Sequence, residues 1–180
     1  MMSEYDFTLK FNLPEARAIS EDYLESLATV GCDDALVGVG QPGKIALNFI
    51  REATSAKVAV YSAIKDVKRA IPQAVLIEVS PDCIGLTEVA KIVGCTRQNL
   101  RNLIIKGEAK SPSPIYGGTP SIWHLADILG WLCEQKQYAI DPNLLELAKV
   151  NKDLNIAREW QTVDCDRKLE IESLVAQSCA

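Results

Sequence analysis

Arg97, Gln98, Arg101, Asn102 and Lys106 fall within one ten-residue span. Arginine can grip the guanine edge, Asn and Gln can pair with the adenine edge, and lysine neutralises phosphate. The rest of the chain offers little for catalysis. His124 is the only histidine; it follows Trp123 and precedes an apolar helical stretch, which suits packing or a helix start. No Gly-x-Ser-x-Gly motif, paired histidines or acidic metal cluster stands out. The stretch Gly38 to Ile45 approaches a phosphate-binding loop, but Ile45 replaces the hydroxyl residue and Pro42 removes a backbone donor. A tight β-hairpin is the better reading there. Six cysteines, at 32, 83, 95, 133, 165 and 179, form no Cys-x-x-Cys pair. They read as reduced residues, several of them buried, with no metal, cofactor or catalytic residue expected.

The net charge of −5 is unevenly spread. Lys91, Arg97, Arg101, Lys106 and Lys110 cluster together with Glu108 as the one acid between them, while the flanking segments are acidic. A local basic patch suits a small nucleic-acid footprint, because only the contacting face must neutralise phosphates. No apolar run is long enough to span a bilayer. The start, Met1 to Asp6, has neither the basic nor the apolar part of a signal peptide, so a cytoplasmic protein without membrane partners is expected.

The elements that must position those side chains form a helix-turn-helix over Leu86 to Lys106. Thr87 is expected to cap a first helix with Val89, Ala90 and Val93 inward. Gly94 falls where the chain leaves that helix and a positive φ is needed. Thr96 caps the second helix, whose apolar face is Leu100, Leu103 and Ile104. Such a helix enters the major groove with its N-terminal residues foremost. Arg97, Gln98 and Arg101 become the base-contact candidates, and Lys91, Asn102 and Lys106 the backbone contacts. A hairpin around Gly117-Gly118 follows, then a helix from His124 to Gln135.

This layout resembles the winged helix-turn-helix of the MerR and excisionase-like families. Ser121-Ile122-Trp123-His124-Leu125-Ala126-Asp127-Ile128-Leu129-Gly130-Trp131-Leu132 is similar to the closing helix of such modules. The resemblance covers about residues 83–135. It implies a recognition helix at 96–106 and a wing in which Lys110, Ser111 and Tyr116 meet phosphates or the minor groove. The wing is poorer in arginine than those families, and nothing after residue 135 matches a MerR-type coiled coil. No effector site or promoter-untwisting mechanism carries over.

Residues 1–80 read as β-α-β-β-α-β, the ferredoxin-like plan within an α/β (α+β) chain. Tyr5 to Asn12 alternates, Pro14 starts a helical stretch, Ala35 to Val39 and Ile45 to Phe49 are strands, Ser55 to Ala70 is helical with Val58, Ala59, Ser62 and Val67 inward, and Ala74 to Val79 closes the set. A helical segment spans 141–178, with Asp141 as cap, Pro142 at the first position and a break near Asp164 to Asp166. Its Leu147, Val150, Leu154, Ala157 and Trp160 stripe suits either the winged unit or a second subunit. The expectation is a sequence-specific regulator of transcription, most simply a repressor, acting on double-stranded DNA as a homodimer. The alternatives are an excisionase-like architectural factor, or an antitoxin-like adaptor whose N-terminal domain holds a protein partner or small effector.

Overall fold

Phe7, Leu9 and Phe11 alternate with polar residues, and the chain there is strand β1 (Ser3–Asn12), buried on one face only. This computed structural model describes residues 2–14, 21–38, 41–107, 111–136 and 138–176. Among them it is a mixed α/β chain of seven helices, a four-stranded antiparallel sheet and a two-stranded sheet.

In the larger sheet β1 pairs along its whole length with β3 (Lys44–Ala53), from Ser3 opposite Ala53 to Asn12 opposite Lys44. On its other side lies β4 (Val75–Ser80), with a register shift between Lys10 and Phe11. Strand β2 (Ala35–Gly38) flanks β3, giving the order β2-β3-β1-β4. The odd-numbered residues Tyr5 to Phe11 and Ile45 to Phe49 share the core with α1 (Glu21–Thr29) and α2 (Ala56–Ala70). Ser55 caps α2 by accepting the Val58 N–H. The inward stripe of α2 is Ala56, Ala59, Val60, Ala63 and Val67, at three- and four-residue steps. Val58, expected inward, is half exposed because Val60 occupies that face. The start of the first helix expected after Pro14 lies outside the described residues. Gly43 takes φ +74 and Lys44 opens β3, so a strand follows where a phosphate-binding loop would place a helix N-terminus.

The second unit begins at β5 (Cys83–Ile84), which pairs with β6 (Trp123–His124). Between them the chain runs through α3 (Leu86–Ile92) and α4 (Arg97–Lys106), and after β6 it enters α5 (Leu125–Lys136). Val89, Ala90 and Leu100 pack with Trp123, Leu125, Ile128, Leu129 and Leu132 in a second core. No described helix is long and apolar enough to cross a membrane.

Helix α6 (Pro142–Gln161) joins the two cores. Asp141 caps it by accepting the Asn143 N–H, and Pro142 opens it where no donor is needed. Leu147 lies in the sheet core and Ala148, the next residue, in the other. Asn151 donates to the Pro81 carbonyl, and the Tyr5 hydroxyl donates to Glu146. The stripe whose partner the sequence left open is used in part within the chain: Leu147, Val150 and Leu154 pack with the sheet core, rather than with the winged unit or a second subunit, while Ala157 is exposed. Helix α7 (Cys165–Val175), capped by Asp164, buries none of its residues.

The cysteines correct one expectation. Of the five described, only Cys32 is buried, while Cys83, Cys133 and Cys165 are exposed. Desolvation, with help from Asp66, pushes the Cys32 thiol up to about 11.

Candidate nucleic-acid interface

Helices α3 and α4 meet through a turn whose chemistry is local. Gly94 has φ +70, the left-handed conformation that lets the chain leave α3. Thr96 then accepts the Asn99 N–H at 3.1 Å and caps α4. Thr87 does not cap α3. The helix already starts at Leu86 after an extended Gly85, so Thr87 lies inside the first turn with its side chain exposed.

With Leu100 buried in the second core, α4 turns its polar residues outward. Arg97, Gln98, Arg101, Asn102 and Lys106 are all exposed. Gln98 donates to Asn102 at 3.0 Å, one helical turn away, so these amides hold each other in line. Among the described residues none of Lys91, Arg97, Arg101 and Lys106 is in an ion pair. Their charge is uncommitted.

The hairpin expected after α4 is present as a single bridge, Tyr116 to Ile122, with the Ile122 N–H donating to the Tyr116 carbonyl at 2.9 Å. The Ser121 hydroxyl donates to the Gly118 carbonyl inside the turn. Tyr116 is 62% exposed and its ring lies so close over Gly118 that a Cβ there would be 2.3 Å from it. Trp123 anchors the loop by donating its indole N–H to the Pro112 carbonyl.

Helix and hairpin face each other across an open groove of about 850 Å³. Arg97, Arg101, Ile104 and Ile105 line one side, and Gly118 to Trp123 line the other. Of the sequence-predicted residues, the fold brings only the two arginines to this groove. Gln98, Asn102 and Lys106 continue the exposed surface of α4 beside it, and Lys91 stands at the end of α3. Ser111 is half-buried below Gly107, and Lys110 lies outside the described residues.

Compared with known protein families, curated proteins and solved structures, the chain has no match.

Two groove residues escaped the sequence reading. Ile105 is 63% exposed and follows Arg97 and Arg101 in one four-residue row. Its apolar type hid it, although that spacing could have found it. Glu88 lines the groove too, one negative charge in the same lining as two arginines. Chemically, the arrangement offers two free guanidinium forks, an amide pair and an apolar side chain able to meet a thymine methyl.

Proposed function

We propose that this protein is a sequence-specific double-stranded-DNA-binding regulator of transcription, in which α4 is the recognition helix and the Tyr116–Ile122 hairpin is the wing. In this reading residues 1–80 form a ferredoxin-like domain and 83–135 a winged helix-turn-helix of MerR or excisionase-like type. The observation that carries it is the groove that Arg97 and Arg101 share with the hairpin, where among the described residues neither is in an ion pair, with Gln98 and Asn102 aligned beside them. Unpaired, solvated arginines contribute little to a fold, whereas their planar forks match both guanine edges and phosphate.

The strand order β2-β3-β1-β4 with crossing helices is what a ferredoxin-like plan requires. A homodimer is part of the proposal, because one short recognition helix reads few base pairs and a two-fold partner doubles the site. Leu169, Leu174 and Val175 of α7 lie largely exposed, and a second copy would cover them. Occupying an operator would make the protein a repressor. Binding-site selection from random duplexes, at stated salt and with solution mass measured alongside, tests the reading. An enriched palindromic duplex bound by a dimer supports it; recovery of no preferred sequence rejects it.

A further inference from the structure

We propose that Asp82, Cys83 and His124 form a binding site for one transition-metal dication of the zinc class, placed at the base of the α3–α4 unit. The register of the small sheet creates the site. Cys83 and His124 are directly paired across β5 and β6, which holds their side chains as near neighbours although they are 41 positions apart in the chain. Asp82 precedes Cys83, and one donor atom from each of the three residues falls within 4.8 Å of the others.

The separations are close to those a metal needs. Cys83 Sγ lies 3.7 Å from Asp82 Oδ2, and His124 Nδ1 lies 2.8 Å from Asp82 Oδ1. Tetrahedral zinc, with bonds of about 2.3 Å to sulfur and about 2.0 Å to nitrogen or oxygen, keeps its ligand atoms about 3.3–3.5 Å apart. Small shifts suffice. Asp82 is almost wholly buried, and Asn155 donates to its Oδ2 at 2.8 Å, fixing the carboxylate in advance. Among the described residues, His124 Nδ1 and the Cys83 thiol are each held only by the Asp82 carboxylate itself, so no group outside the trio competes for them.

The site is also reachable. Cys83 and His124 line a cavity of about 760 Å³. Glu78 and Glu159 stand in its wall, paired with Lys10 and Arg158 respectively, so a fourth position on the ion is left to water. Arg158 is the one cation among the described lining residues, and it is engaged with Glu159. A thiol, an imidazole and a carboxylate select zinc-like ions over magnesium or calcium, which take oxygen ligands. Bound there, the ion would fasten β5 to β6 and so close both ends of the chain excursion that carries α3, α4 and the hairpin.

Co²⁺ titration of the reduced, chelator-treated full-length protein tests this. The expected result is a thiolate-to-cobalt charge-transfer band saturating at one ion per chain and bleached by Zn²⁺. Cys83→Ser and His124→Ala should abolish the band, while Cys133→Ser and Cys165→Ser keep it. Absence of the band, its survival in Cys83→Ser, or its loss in Cys133→Ser overturns the proposal. The Cys83 side chain is exposed, so Cys83→Ser should unfold at the parent's temperature in chelator and decides the matter even if His124→Ala fails to fold.

Discussion

The side-chain amide of Asn155 takes both backbone bonds of Val79, accepting its N–H at 2.9 Å and donating to its carbonyl at 2.8 Å. β4 is an edge strand, and at this residue Asn155 stands where the next strand would. The same amide nitrogen reaches Asp82 at 2.8 Å, so one α6 side chain ties the sheet to the start of the second unit. Asn155→Ala orphans two backbone groups and should cost about 2–6 kcal/mol, since each unmade buried bond costs about 1–3 kcal/mol. Urea unfolding checks this; an unchanged midpoint would show that α6 holds the two units by apolar contact alone.

Arg51 plays the matching part inside the first unit. Its guanidinium bonds Asp34, Asp66, the Ser62 hydroxyl and the Gly31 carbonyl. Burial works against the charge, but the two carboxylates outweigh it and hold the guanidinium above its ordinary pKa. A lysine can supply the charge but not the fork. Arg51→Lys should therefore destabilise, and Arg51→Ala should cost about 3 kcal/mol or more because two carboxylates lose their counter-ion. Thermal unfolding of the two variants gives the order.

Cys32 gives a stability effect confined to alkaline pH. Its folded thiol is pushed up to about 11 from an ordinary 9.0, so the fold favours the neutral form. Below pH 9 both folded and unfolded chains hold the proton and this group adds no pH dependence. Between pH 9 and 11 the unfolded chain loses it first, and stability falls by up to about 1.4 kcal/mol per pH unit from this group. Cys32→Ala removes that component. The stability gap between parent and variant should be constant from pH 6 to 8 and shrink above pH 9; a constant gap to pH 11 would contradict the shift.

Much of this architecture is readable from side-chain type and period. Strands β1 and β3 announce themselves because each buries one face, and Thr96, Asp141 and Gly94 because a helix end leaves backbone groups that only certain residues satisfy. The α2 stripe was harder: Val58 and Val60 are equally apolar, and only packing on the sheet selects Val60. Asn151 and Asn155 were invisible as anchors, since buried asparagines contradict the usual sorting and are held by partners 70 and 76 positions away. Asp82, Cys83 and His124 meet only through the pairing of two two-residue strands, too short to leave a periodic signal. Ile105 shows the reverse difficulty, an apolar residue turned to solvent.

The turn glycines should respond for different reasons. A Cβ at Gly94 meets nothing within 4 Å, so Gly94→Ala suffers only the positive φ, about 1–2 kcal/mol. Gly107 has an ordinary helical φ, but a Cβ there would sit 2.9 Å from Trp131 and 3.2 Å from the Leu103 carbonyl. Gly107→Ala must displace a buried indole or the end of α4, costing about 1–3 kcal/mol. Asparagine tolerates left-handed backbone, so Gly94→Asn should recover part of the loss whereas Gly107→Asn should not. Chemical denaturation of the four variants separates strain from crowding.

The proposed DNA interface predicts three distinct signatures on one selected duplex. Arg97→Ala or Arg101→Ala should weaken binding by about 1–3 kcal/mol and relax preference at one base position, because each removes a fork from the groove. Lys106 stands outside the groove, so Lys106→Ala should weaken all sequences equally and reduce the slope of log affinity against log salt by about one. Glu88 lines the groove and faces incoming phosphate, so Glu88→Gln should tighten binding, most clearly at low salt where charge is least screened. Fluorescence anisotropy across a salt series reads all three. Equal losses for arginine and lysine variants on every duplex would make the surface a general polyanion site, whereas no change in any variant would reduce α4 to a packing helix.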